Sequence, residues 1–232
     1  MLGVARGVGV PANDAPTGGQ GPRINNGAMA RAPAGIDRSS VPGRFGAWAF
    51  RQRSWLPVPV ALVLVVVHQG ETRATWPLFV GPSLVVTGQT LRLWAVRHIG
   101  IISRTRTTRV GPLVTDGPYA VLRNPLYVGN WLLWTGFTVW SALLWMLPIE
   151  WGIFVLQYGA ITRWEEERLR LHFGSAYDTY AGNVPRWRPR WMALYRALST
   201  SASHPWRDVI FSERGTLLAV GVMSLLLVLK KI

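Results

Sequence analysis

Three consecutive carboxylates, Glu165, Glu166 and Glu167, stand in a chain of 232 residues with only 11 acidic residues in all. They follow a long apolar run, so a carboxylate here is costly to bury unless it meets a cation. Such a group suits a ligand ammonium or sulfonium. The alternative is a solvated helix face on which the same carboxylates pair with Arg163, Arg168 and Arg170. A second block lies upstream, at 113–129, and reads LVTDGPYAVLRNPLYVG. Gly117-Pro118 is turn chemistry. Asn124-Pro125 keeps Asn124 out of the helical region and lets Pro125 open a helix at its first turn. A helix start offers free backbone N–H groups, which suit a carboxylate or a ribose-type hydroxyl. Tyr119 and Tyr127 add hydroxyls and stacking faces. After the carboxylates, Phe173, Tyr177 and Tyr180 fall at i, i+4 and i+7, one stripe of a short helix folded back over a pocket. Arg186 and Arg188, interleaved with Trp187, read as interfacial.

These blocks need elements that bring them together. Apolar runs occupy 55–67, 76–96, 127–140, 143–161 and 215–229. The first is short, and 45–50 would extend it; Pro148 kinks or starts the fourth. The two chemical blocks flank the third and fourth runs. A helical hairpin there returns both blocks to one face. The expected fold class is all-α, an integral membrane helical bundle of four or five transmembrane helices with a cytoplasmic ligand pocket. Residues 1–44 carry Gly, Pro, Ala and Arg without apolar period and read as a disordered basic tail ahead of one domain at 45–232. Arginine follows the second and fourth runs and precedes the first, so the positive-inside rule puts the N-terminus, 97–123 and 163–214 in the cytoplasm. The last run then ends outside on Lys230 and Lys231, unless it is interfacial.

Composition agrees. The chain is 49% hydrophobic and 16% charged, with 13 Trp, against about 25% charged in soluble domains. The net charge of +14 reads as contact with anionic lipid rather than nucleic acid, because arginine is spread among apolar segments. There is no Cys, which excludes disulfides and thiolate chemistry. His68, His98, His172 and His204 are too scattered to suggest a metal, and none is expected. His98 reads as structural.

The paired blocks, in order and spacing, resemble the isoprenylcysteine carboxyl methyltransferase and phospholipid methyltransferase superfamily, over about 84–190. The resemblance implies S-adenosylmethionine as methyl donor, a cytosolic site, and a lipophilic acceptor from the bilayer: the carboxylate of a prenylated or lipid-like substrate, or a lipid amine. Expected partners are therefore that acceptor and membrane lipid, with neither nucleic acid nor metal. Carried over by position, the donor's binding residues are Arg104, Gly111, Pro112, Leu113, Val114, Gly117, Tyr119, Arg123, Asn124, Pro125, Leu126, Tyr127, Glu165 and Glu166, and the catalytic candidates are Glu165 and Arg163. Glu167 falls outside the family's pair. This sequence has Asn124 and Gly111 where the carboxyl methyltransferases tend to have His, and Ile161 where they tend to have Arg. Two other readings are an NADPH-dependent membrane reductase of related fold and a non-enzymatic membrane anchor.

Overall fold

Glycine spacing governs the central helix pair. Gly81 and Gly88 lie seven apart in one long helix, and Gly129 and Gly136 lie seven apart in its neighbour. In the computed structural model, which describes residues 41–53, 55–68, 74–100 and 111–230, these are α3 (Pro77–Ile99) and α5 (Pro125–Trp140). They run antiparallel, with Gly81 against Trp140, Gly136 against Val85, and Gly88 against Gly129 and Leu133. Small residues let two backbones approach where a hydrophobic driving force is weak. A Cβ at position 88 would stand 2.7 Å from the Gly129 carbonyl oxygen and 2.9 Å from the Leu133 nitrogen. Gly88→Ala is therefore expected to prise α3 from α5 and cost about 1–3 kcal/mol. A thermal melt in detergent reads this as a lowered midpoint, and an unchanged midpoint would contradict the close approach.

Around this pair stand α1 (Val41–Gln52), α2 (Val58–Val66), α4 (Pro118–Val121), α6 (Leu147–Phe173), α7 (Ser175–Asn183), α8 (Leu194–Leu198) and α9 (Trp206–Leu229). No strand occurs among the described residues. The main core joins Val60 and Leu64 of α2, Val85 of α3, Leu133 and Phe137 of α5, and Met223 and Leu227 of α9. Lys230 donates from Nζ to the carbonyls of Leu64 at 2.7 Å and Val67 at 2.6 Å, so a cation meets the carbonyl end of α2.

Three expectations about the elements change. The first apolar run is two helices: α1 starts inside the expected tail, at Val41, and α2 has 9 residues, about 14 Å at 1.5 Å per residue, less than half an apolar bilayer core of about 30 Å. Residues 1–40 of the tail lie outside the described residues. Most of the fourth run and the charged stretch after it form one helix of 27 residues, which ends at Gly174, whose φ of 54° suits a residue without Cβ. The last helix begins at Trp206, nine residues before its apolar run. Two helical stretches are long and apolar enough to cross a membrane by length and composition, Leu144–Phe173 and Trp206–Leu229. Both lie mostly exposed, unlike the core helix of a soluble protein. α3 has the length, with 23 residues, but Gln89, Arg92 and their polar neighbours lower its hydropathy; α5 has 16 residues.

Candidate ligand pocket

Prolines set the pocket's rim. Pro118 opens α4 and Pro125 opens α5, each at a position where its missing N–H costs nothing. Between them Asn124 sits at φ −125°, ψ 55°, outside the helical region. Its side-chain amide donates to the Arg186 carbonyl at 3.2 Å. The backbone N–H of Arg123 donates to the Pro185 carbonyl, and that of Arg190 to the Val121 carbonyl, both at 2.9 Å. The 185–190 segment is thus strapped along 121–124.

A cavity of about 220 Å³ opens between this rim and the C-terminal half of α6. Gly111, Pro112, Leu113, Val114, Tyr119, Arg123, Asn124, Pro125, Leu126, Tyr127, Glu165 and Glu166 line it, which gathers both sequence blocks at one place. Two described residues among those expected, Gly117 and Arg163, are not gathered. Arg104 lies outside the described residues. Gly117 does not line the cavity; with φ at 54° it makes the turn, and a Cβ there would strike the His98 ring at 2.3 Å. Arg163 is exposed and does not line the cavity. It stands two residues before Glu165, about 200° round the helix, so its side chain leaves the other face.

The acidic run divides its work by helical position. Glu165 faces the cavity, and Tyr127 donates from its hydroxyl to both carboxylate oxygens, at 2.9 Å each. Glu166 is buried and clasped by two arginines: Arg186 donates from Nε at 2.8 Å and from Nη2, and Arg123 Nη1 lies 3.3 Å away. Glu167 is exposed and outside the cavity. So Arg186, expected at an interface, is instead a partner of the pocket wall. Charge pairing with Glu166 raises the Arg186 guanidinium above its ordinary range.

The α7 stripe closes over the site as expected for Tyr177 and Tyr180, which line the cavity. Tyr180 donates to the Tyr119 carbonyl at 2.9 Å. Burial pushes the phenols of Tyr119 and Tyr180 well above the usual tyrosine range, each helped by the neighbouring tyrosine. Both stay protonated at any working pH, so each hydroxyl keeps a proton to donate. The Tyr119 hydroxyl is buried in the cavity wall with no hydrogen-bond partner among the described residues, and so is Arg123 Nε. A native fold rarely leaves buried donors unmet. Two unmet donors and a carboxylate around one cavity match the chemistry of a ligand with both an anionic oxygen and a cationic centre.

Several lining residues carried no signal that the sequence reading used. Phe50 arrives on α1, which presses close to α6: a Cβ on Gly46 would lie 2.6 Å from Trp164 Cβ, and the Phe50 and Trp164 rings are 5.2 Å apart. Nothing near Phe50 in sequence foretells this. Arg168 and Leu169 lie at +3 and +4 from Glu165, so a helical wheel drawn from that residue finds them; Trp164, one residue before it and about 100° round, also lines the cavity. Ile99 closes the cavity from the end of α3.

Beneath the pocket a polar chain crosses the helices. Arg92 of α3 donates to both carboxylate oxygens of Glu213 on α9, at 3.0 and 2.8 Å from Nη2, and to Asn130 Oδ1 on α5. Asn130 in turn donates to the Tyr158 hydroxyl at 2.9 Å, and the Tyr158 ring packs on Tyr127 with centroids 4.6 Å apart. Charges this deep are expensive and are kept when they fix something. Here they tie α9 to the residue that grips Glu165.

Known proteins resemble this chain over the stretch that holds both sequence blocks. Residues 76–176 match the family described as phospholipid methyltransferase. The cobalt-zinc-cadmium resistance protein CzcN of Cupriavidus metallidurans is 33% identical over 185 residues, covering 74% of this chain and 77% of that protein. The nickel-cobalt-cadmium resistance protein NccN of Alcaligenes xylosoxydans xylosoxydans is 30% identical over 177 residues, 75% of this chain and 76% of that protein. Protein-S-isoprenylcysteine O-methyltransferase B of Arabidopsis thaliana is 28% identical over 126 residues, 52% of this chain and 64% of that protein. No solved structure matches. This chain belongs to the superfamily of phospholipid and isoprenylcysteine methyltransferases.

Proposed function

We propose that this protein is an integral membrane methyltransferase that moves a methyl group from S-adenosylmethionine to a lipophilic acceptor. The observation that carries the reading is the donor–acceptor pattern of the cavity. Tyr119 and Arg123 offer unmet donors to a carboxylate, and Glu165 offers its oxygens to an ammonium or sulfonium. The donor, when bound, supplies a methyl group made electrophilic by the positive sulfur. The chain's own part is to hold, orient and dry the site. Tyr127 fixes both oxygens of Glu165 in place. Arg123 and Arg186 lock Glu166 so that its charge does not compete for the ligand. Tyr177 and Tyr180, with Phe50 and Trp164, shut out water. A carboxylate acceptor reacts already ionised and needs no base; an amine acceptor gives up a proton, to a carboxylate or to water. The acceptor is the carboxylate of a prenylated or lipid-like molecule, or a lipid amine.

In this reading α3 and α5 cross the membrane beside α6 and α9, and the basic ends of α3 and α6 put the pocket and the N-terminus on the cytoplasmic side. Two relatives are named for resistance to nickel, cobalt, zinc and cadmium. Among the described residues no group of three or more His, Asp or Glu stands together as a metal site, and the pocket's own carboxylates are held by Tyr127, Arg123 and Arg186. The experiment is transfer itself: membranes containing the protein, given methyl-tritiated S-adenosylmethionine, are expected to accumulate label in the organic-solvent extract. Membranes with Glu165→Gln are expected to lose that label. Extracts no hotter than those of membranes lacking the protein would overturn the reading.

A further inference from the structure

Between the pocket and the last helix, the chain exposes an apolar face that no described residue covers. A turn of 3-10 helix at Trp191–Ala193 runs into α8. Inward, Ala193, Leu194 and Ala197 pack on Val121 and Leu122 beside α4. Outward, Trp191, Met192, Tyr195 and Leu198 are 70%, 94%, 84% and 64% exposed. The two sets alternate with helical period, so this is an amphipathic element with one side bare. An apolar patch of that kind marks an interaction surface.

Charge and position identify the partner. No Asp or Glu occurs from 179 through 207, whereas Arg188, Arg190, Arg196 and Arg207 are all exposed there. The element leads directly into α9, a helix able to cross a membrane. The start of α9 sits at the pocket end of the bundle, because the Arg97 guanidinium in the last turn of α3 lies 4.5 Å from the Trp206 ring centroid. The exposed apolar surface then continues along α9 through Ile210 and Phe211.

We propose that residues 188–198 form an interfacial foot that docks on anionic lipid headgroups. Trp191, Met192, Tyr195 and Leu198 enter the boundary between headgroups and acyl chains, and Arg188, Arg190 and Arg196 meet lipid phosphates. The foot backs onto the short α4 segment whose Tyr119 lines the cavity, so the lipid surface and the pocket share one wall. This goes beyond the methyltransferase reading and stands whether or not the cavity binds a methyl donor.

The chain has no Cys, so Met192→Cys, Tyr195→Cys and, as a control on exposed α7 surface, Thr179→Cys each take one environment-sensitive fluorophore. The full-length protein is placed in nanodiscs of phosphatidylcholine alone or mixed with phosphatidylglycerol. Labels at 192 and 195 are expected to shift to the blue and to be quenched by spin-labelled lipid, more so in the anionic discs, while the label at 179 answers to aqueous iodide. Replacing Arg188, Arg190 and Arg196 together by Gln is expected to abolish the difference between the two lipids. Iodide quenching at 192 and 195 as strong as at 179 in both discs would overturn the foot. Equal insertion in both lipids, unmoved by the arginine replacements, would overturn the anionic-headgroup part.

Discussion

Glu165→Gln is expected to bind S-adenosylmethionine about 10- to 100-fold more weakly than the wild type while melting at nearly the same temperature. The change keeps the shape of the side chain and removes its charge. A hydrogen bond to a charged group contributes about 1.5–3 kcal/mol, and about 1.4 kcal/mol is a factor of ten in affinity. Stability moves little because the Tyr127 hydroxyl, which donates to both Glu165 oxygens, still finds the amide oxygen of Gln. Tyr127→Phe leaves the carboxylate in the cavity without its clamp, and a smaller loss of affinity is expected. Glu166→Gln acts by another route: it loosens Arg123 and Arg186, so it lowers both affinity and melting temperature. Isothermal calorimetry and a thermal melt on the purified variants separate these patterns. Unchanged affinity in both Glu165→Gln and Glu166→Gln would refute the site.

The largest expected effect on stability falls at Arg92. Its side chain is 9% exposed and that of its partner Glu213 1%, so Arg92→Ala takes a bidentate cation away from a buried carboxylate and removes a donor to Asn130. Removing one member of a buried pair costs about 3–5 kcal/mol. The double change Arg92→Met with Glu213→Leu removes both charges at similar volume and is expected to regain most of that loss. The thermal midpoint of each variant in detergent is the readout. A midpoint for Arg92→Ala equal to wild type would show that the pair does not hold α9 to α3. Because the same arginine reaches the pocket through Asn130, Tyr158 and Tyr127, the double variant is also expected to bind ligand less well than its stability implies.

What was legible in the sequence was whatever local chemistry dictates. Pro125 reads as the first residue of a helix and opens α5, while Pro118, read as part of a turn, also opens the four-residue α4. The hairpin of α5 and α6 follows from two apolar runs with a short break. It places 111–127 and the glutamates on one face without any further information. The division between Glu165, Glu166 and Glu167 follows from 100° steps round α6 once a pocket is known to lie on one side. The same arithmetic removes Arg163.

What was not legible depends on contacts between distant segments. Arg186 reads as interfacial because its neighbours are Trp187 and Arg188; only the strap of 185–190 along 121–124 turns it toward Glu166. In a chain so rich in arginine, no spacing rule selects this one. Arg92 and Glu213 are 121 positions apart. Glu213 lies in a stretch that looks too polar for the last helix, which is why α9 begins earlier than its apolar run. The first run divides into α1 and α2 where Pro57 enters the second helix, and that division is what brings Phe50 to the cavity.

The account rests on the cavity's donors and carboxylate taking a zwitterionic methyl donor, and one titration tests this most directly. The detergent-purified protein, shown to be folded by its melt, is titrated by calorimetry with S-adenosylmethionine and, separately, with NADPH. Saturable binding of S-adenosylmethionine alone, at one site per chain and lost in Glu165→Gln, is the predicted result. Saturable binding of NADPH with none of S-adenosylmethionine, or heat from neither ligand, would contradict the methyltransferase reading.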